Sequence, residues 1–392
     1  MNVARTPEPS PLRIAFDRLA FALDRFNARL AGQSRAGFVV GSVLVALGVS
    51  LCCYAPRLQV LMHELPGTFE WARGLDFARQ CEAPFNLAAH DPALRWRLLP
   101  AVVCHGIGLR GHAAFILPWV GLLLLLGQSV LLIENRTHDR ALALIVTCLV
   151  ATTSGIWTVT TWFGINDAWY LSALVAVAFA RSPIAFALAA FAGPWIDERF
   201  LIGLPVALLL RFALGQEPGT RRGFALGVAG AALYLTVRAG VSLSAHDATA
   251  QSFVAGALRE CWTWLPWAPL GWYCGFRAAW LVVLAGVVGL FLSTNRPIAS
   301  AVAATAIASL LVLTVLAADL TRAPPLLLPL LFAGVLLLPT WTEIAAGRAA
   351  LVLVLAANLL TPALHVTYTK VSLLSPLPIE IVRLLRKAAV AF

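Results

Sequence analysis

Between Ala36 and Val366 the chain is a succession of apolar runs, and charged residues cluster in the breaks between them. A helix of about 20 apolar residues crosses the hydrocarbon core of a bilayer. A charge at the middle of such a helix costs roughly 2.5–3.5 kcal/mol. A chain written this way can fold only as a polytopic, all-α transmembrane bundle. Composition agrees. Hydrophobic residues make up 60% and charged residues 12%, against about 25% charged in soluble domains. The net charge of +10 is almost entirely arginine, since Lys370 and Lys387 are the only lysines. In a soluble protein that balance would suggest nucleic acid. Here the arginines lie between apolar runs, where they set topology and meet lipid headgroups or anionic substrates.

Residues 1–35 read as a cytoplasmic amphipathic segment. Ser10 caps a helix start at Pro11. Leu12, Phe16, Leu19, Leu23, Phe26 and Leu30 share one face, Arg13, Arg18, Arg25 and Arg29 lie off it, and Gly32 is a stop. A basic amphipathic helix of this kind lies on the cytoplasmic leaflet. No small-residue cleavage site precedes the first apolar run, so a removable signal is not expected. The transmembrane domain covers 36–370 and the remainder, 371–392, is an amphipathic basic tail. The first span, about Ala36 to Ala55, runs outward because six arginines precede it. Alternation then gives about eleven spans in all. Ala141–Trp162 runs outward to Asn166-Asp167, and Ile184–Ile196 runs outward to Asp197-Glu198-Arg199. Ile298–Ala318 runs outward to Asp319 and Arg322, and Ala349–Val366 is the last. Two long outer loops result, 56–112 and 244–275. In the first, the Trp71 and Leu98 stretches predict helices lying along the membrane surface. Parity places the tail outside, although its basic charge favours the inside.

On this topology the outer side receives Glu64, Glu70, Asp76, Glu82, Asp91, Asp167, Asp197 and Glu198, together with Arg95, Arg97, Arg199 and Arg259, and Arg238 lies near the outer end of its span. Trp157, Trp162, Trp169, Trp195, Trp262, Trp264, Trp267 and Trp272 fall there too, while the inner face has little beyond Trp341. A membrane belt alone would populate both faces. The asymmetry therefore points to an outward-facing site, with rings to stack on sugars or to line a lipid-tail groove. The chemistry suited to it is group transfer from a lipid-linked anion. A carboxylate acts as general base for an acceptor hydroxyl, and arginines neutralise a phosphate leaving group. Paired acids could instead hold a divalent cation. His63, His90, His105, His112 and His246 lack ligand spacing, so no metal ligand is assigned. Cys81 and Cys261 both fall outside on this topology. A bridge between them is allowed in an oxidising compartment, with Cys104 and Cys274 as rival partners.

The layout resembles the GT-C class of integral membrane glycosyltransferases, over roughly residues 36–212. Glu70-Trp71-Ala72-Arg73-Gly74-Leu75 and Leu94-Arg95-Trp96-Arg97-Leu98-Leu99-Pro100 look like the long first outer loop of that class. Asn166-Asp167 and Asp197-Glu198-Arg199 resemble acidic motifs that some members carry at outer span ends. One departure is visible: His63-Glu64, rather than an aspartate pair, follows the first span. The resemblance implies a polyprenyl-phosphate-linked sugar donor and action at the outer face of the bacterial inner membrane. It implies Glu64, Glu70, Asp76, Asp167, Asp197 or Glu198 as catalytic carboxylates. Arg95, Arg97, Arg199, Arg238, Asn166 and Trp195 would contact substrate. A transporter or flippase for lipid-linked saccharides, or a non-catalytic assembly subunit, are the competing expectations. Transport favours ionisable residues at mid-membrane, which are scarce here.

Overall fold

A computed structural model describes residues 10–62, 68–91, 94–215, 220–244, 248–340 and 342–390. Glu64, His63, His246 and Trp341 lie outside them. The described chain is helical except for one two-stranded hairpin. Among the described residues, five helices are long and apolar enough to cross a membrane, six if one bent pair counts as a span. Side chains such as Leu44, Leu124, Leu284 and Ile307 point outward from them without cover, as a bilayer allows and water does not. The chain is a helical integral membrane protein.

Helix α1 (Pro11–Ala31) forms as its caps predict: Ser10 accepts from the backbone N–H of Arg13, and Gly32 ends it. Helix α2 (Arg35–Cys53) follows, then the short α3 (Leu58–Met62), α4 (Phe69–Glu82) and α5 (Leu98–Gly106). The last two pack against each other. Trp71, Phe77 and Cys81 of α4 pack with Ala101 and Cys104 of α5 and with Phe115 into a small core of their own.

Next come α6 (Ile116–Thr137), α7 (Arg140–Ala151) and α8 (Ser154–Thr161). The run read as one span, Ala141–Trp162, is two helices bent by 60°. Thr152 and Thr153 sit at the break, and their hydroxyls donate to the carbonyls of Leu149 and Val150. These side-chain bonds stand in for helical ones and open the ladder. Helices α9 (Asp167–Phe179), α10 (Pro183–Ile196), α11 (Arg199–Ala213) and α12 (Thr220–Ser244) complete the first half.

The second half holds α13 (Ala248–Trp264), α14 (Ala268–Phe276), α15 (Trp280–Ser293), α16 (Arg296–Leu316), α17 (Leu328–Leu337) and α18 (Ile344–Leu360). The expected outer loop 244–275 is thus mostly helix, because its apolar and polar residues alternate at helical spacing. Helices α15 and α17 cross closely: a Cβ on Gly334 would collide with the carbonyl oxygen of Val282. The last span ends at Leu360, not Val366, since Thr361-Pro362 cannot continue a helix. Strands β1 (Leu364–Thr367) and β2 (Lys370–Leu373) pair antiparallel, Leu364 opposite Leu373. Helix α19 (Leu377–Val390) closes the described chain.

Polar groups segregate to two ends of the bundle. At one, Arg348 bridges Asp139 at 2.6 Å and Asp24, and Glu134 pairs with Arg140 at 2.9 Å and Arg35 at 3.2 Å. These contacts fasten α1 to α7 and α18. At the other end lie the first loop, the hairpin and α19. Ala55 there donates to Ser375, and Gln59 to the carbonyl of Arg383. The tail therefore sits at the end where the first loop lies, as parity requires and against its charge.

Candidate functional site

Three corners of the chain meet at that second end. The turn at the end of α8 presses onto α4. Phe163 donates to the carbonyl of Glu70 at 3.0 Å, and Gly164 stands at φ +71°. A side chain at Gly164 would meet the backbone of Arg73 and Gly74 at 2.8 Å, so only glycine fits. This sets Asn166 and Asp167 at the start of α9. The α10–α11 corner supplies Asp197 and Arg199. The link between α16 and α17 supplies Asp319 and Arg322, and the residue before α5 is Arg97.

These six side chains alternate in sign. Arg97 pairs with Asp197 at 3.1 Å. Asp197 also accepts from Arg199 at 2.7 and 2.9 Å, and Arg199 reaches Asp167 at 2.5 Å. Asp167 then takes Arg322 at 2.6 and 2.8 Å, and Arg322 reaches Asp319 at 3.1 Å. Three carboxylates balance three guanidiniums, which is how buried charges persist.

The carboxylates are not equivalent. A carboxylate has about four lone-pair sites. Asp167 fills its four with Nη1 and Nη2 of Arg199 and with Nε and Nη2 of Arg322. Asp197 accepts the backbone N–H, Nε and Nη2 of Arg199, plus Nη1 of Arg97. Burial alone would raise the Asp197 carboxyl, but Arg199 and Arg97 outweigh it and hold it well below the usual carboxylate range. Neither acid can take a proton at neutral pH or bind a metal without dismantling the network. Asp319 differs. Its Oδ2 pairs with Arg322, while its buried Oδ1 has no hydrogen-bond partner. Nδ1 of His365 lies 3.7 Å from that oxygen.

Asp319 faces a cavity of about 450 Å³. Arg73, Arg97, Arg199 and Arg322 line it with Asn166, Glu260 and His365. Trp162, Trp264 and Tyr368 supply rings, and Leu313 and Leu316 of α16, with Ala317 just beyond it, an apolar seam facing Gly256 and Ala257 of α13. Arg97 Nε and Asn166 Oδ1 are buried there without a hydrogen-bond partner. The hairpin forms one wall. Val366 donates to the Thr321 hydroxyl at 2.7 Å, and Tyr368 to the carbonyl of Ala318 at 2.8 Å. The cavity can therefore offer an anion the outer edges of Arg73 and Arg97, a ring the faces of its aromatics, and a proton the open oxygen of Asp319.

Of the residues expected from sequence, Asp167, Asp197, Arg97, Arg199 and Asn166 come together here. Glu70 lies instead in a neighbouring cavity, paired in two bonds of 2.5 and 2.6 Å with Arg57. Asp76 pairs with Arg79 on α4. Arg95 is buried beside Gln80, which donates to its carbonyl. Glu198, Arg238 and Trp195 form a cluster of their own. Arg238 lies 3.9 Å from Glu198 and over Trp96, and its Nη1 reaches the Tyr234 hydroxyl, against which Trp195 packs. Cys81 and Cys261 are both free and belong to separate packed clusters, so the bridge expected as an option is not formed. Among the described residues no group of acids, histidines and cysteines has the makings of a metal site. Asp319, Arg322 and His365 are the residues that sequence reasoning passed over. The signal for two of them was present: Asp319-Leu320-Thr321-Arg322 repeats the acid-then-arginine pattern of Asp197-Glu198-Arg199 between apolar runs.

The chain matches no family model, no curated protein and no solved structure.

Proposed function

We propose that the chain is a membrane glycosyltransferase of the GT-C kind, an eleven-span protein of the bacterial inner membrane with a cytoplasmic N-terminus. It moves a sugar from a polyprenyl-phosphate-linked donor to an acceptor at the outer face. The observation that carries the reading is one cavity holding both an unsaturated carboxylate, Asp319, and guanidinium edges, Arg73 and Arg97. Glycosyl transfer needs both. A base takes the proton of the acceptor hydroxyl, and cations meet the charge that develops on the departing phosphate. Trp162, Trp264 and Tyr368 give the sugar faces to stack on, and the seam between α13 and α16 gives a polyprenyl chain an apolar way out. Asp167 and Asp197 hold the arginines in place. They are fixed counter-charges rather than bases, and the role they had as catalytic candidates passes to Asp319.

The test is turnover. The purified protein in nanodiscs is offered a panel of undecaprenyl-phosphate-linked hexoses and pentoses, and release of undecaprenyl phosphate is followed. The reading expects release from at least one donor, lost in Asp319→Asn and weakened in Arg97→Ala. Movement of intact lipid-linked sugar between leaflets without release would assign the protein to transport instead.

A further inference from the structure

Helix α19 turns its acid, not its most apolar stripe, toward the bundle. Leu377, Glu380 and Leu384, at i, i+3 and i+7, share the packed side. Glu380 is buried there and pairs with Arg383 at 2.6 Å. Pro378, Ile381, Val382 and Leu385, at i, i+3, i+4 and i+7, share another side, and all four are exposed, Leu385 at 62%. Arg386 stands one turn beyond Val382 and borders this stripe. An amphipathic helix of a soluble protein buries such a stripe in the core. The level of α19 is set by α2, against which it packs. Ala55, two residues past the end of α2, donates to the carbonyl of Ser375, two residues before α19, at 3.0 Å. Gln59 donates to the carbonyl of Arg383 at 3.2 Å. Helix α2 has 19 residues and exposes Val40, Leu44 and Val45. At 1.5 Å per residue it is about 28 Å long, close to the roughly 30 Å of a hydrocarbon core. Its far end, and α19 with it, therefore lies where hydrocarbon gives way to headgroups.

We propose that α19 is an in-plane membrane helix. Its Pro378, Ile381, Val382 and Leu385 stripe enters the phospholipid leaflet at the first-loop end of the bundle, and Arg386 meets lipid phosphates. Interfacial helices sink an apolar face about 5–10 Å into the boundary between headgroups and acyl chains and keep their cations among the phosphates. Continuity selects lipid over a protein partner: the stripe extends, at the end of α2, the surface that α2 already gives to the bilayer. This also accounts for a basic tail at the end where span parity puts it. Apolar insertion and phosphate contact hold the helix there, so its charge does not have to follow the positive-inside rule. The anchor reaches one of the cavities. Arg383 donates to the Ser375 hydroxyl at 2.8 Å, and Ser372, Leu373, Leu374 and Ser375 wall the cavity of about 380 Å³ beside Glu70. That cavity is thereby fixed at the membrane surface. The inference stands independently of the glycosyl-transfer reading.

The experiment uses the full chain in phosphatidylglycerol-containing proteoliposomes. Ile379→Cys, Ile381→Cys, Val382→Cys and Leu385→Cys are spin-labelled one at a time. Cys52 and Cys53, the native cysteines that are not buried, are replaced by serine. Oxygen concentrates in hydrocarbon and a nickel chelate stays in water. The ratio of oxygen to chelate collisions should rise several-fold from Ile379 to Ile381, Val382 and Leu385. Equal access of the chelate to all four positions would put the stripe in water and overturn the anchor. Exclusion of both reagents from the stripe would mean that protein covers it, a second copy or another partner, and would overturn it as well. Should the variants not fold, the wild-type protein decides. A phosphatidylglycerol with a diazirine near the start of its acyl chain should label residues 378–385. No label there, with α2 labelled in the same sample, would refute the anchor.

Discussion

Asp167→Asn should be among the most damaging single-atom changes available in this protein. Asp167 is 2% exposed and accepts four bonds, two from each of Arg199 and Arg322. Asparagine keeps the shape but leaves one oxygen for four donors and turns an N–H₂ toward a guanidinium. Two charge-assisted bonds are lost, at about 1.5–3 kcal/mol each. That sum, roughly 3–6 kcal/mol, agrees with the cost of about 3–5 kcal/mol for breaking a buried ion pair from one side. Arg199 retains Asp197 and Arg322 retains Asp319, so the loss should fall short of unfolding the whole bundle. Chemical denaturation in nanodiscs reads the change. A double-mutant cycle with Arg322→Gln should then show coupling of about 0.5–3 kcal/mol. A cost under about 1 kcal/mol for Asp167→Asn would mean that the network is wet or loosely held, and the account of saturated acids would be wrong.

Three further outcomes are expected. Arg277 is 1% exposed, pairs with no carboxylate among the described residues, and donates to Thr361 O, Tyr54 OH and Thr152 O. Those carbonyls end α18 and α7, whose C-termini together present about one negative charge, so Arg277→Met should cost about 1–3 kcal/mol per orphaned carbonyl, read as a lower denaturation midpoint. The folded-state pKa of Asp197 is depressed, so its contribution to stability is complete above the ordinary aspartate value. It is lost as pH falls through and below that value, and Asp197→Asn should flatten this acid limb in a stability profile. Non-reducing mass spectrometry should return Cys81 and Cys261 as separately alkylated peptides; a linked pair would contradict the packing of the two clusters.

Much of this was legible in the sequence where short-range rules apply. The Ser10-Pro11 start and Gly32 stop of α1 follow from capping chemistry alone. Alternation of spans brought Asp167, Asp197, Arg199 and Arg97 to one end, where the structure pairs them. The rest depends on contacts that sequence separation hides. Asp167 and Arg322 lie 155 residues apart. Only their pairing reveals that Asp167 is saturated, and so that it is a poor base. Asp319 becomes the better candidate for a negative reason, the oxygen left over when Arg322 is shared. His365 was read as part of a last transmembrane run. Pro362 turns it out of the helix and into a hairpin. Glu198 and Arg238 share the outer end with the cavity yet face a different cluster, a matter of side-chain direction that span parity does not carry.

The central claim is that the cavity between the first loop, the α16–α17 link and the hairpin receives a lipid-linked phosphate. A photoreactive undecaprenyl phosphate, with a diazirine on the isoprene unit next to the phosphate, tests it most directly. In proteoliposomes it should label peptides that contain Gly256–Trp264 and Leu313–Arg322, and the label should fall in Arg97→Ala. Label on peptides around Asp24, Glu134 and Arg348 at the opposite end, or spread along the lipid-facing sides of α2 and α6 and unchanged in Arg97→Ala, would contradict the account.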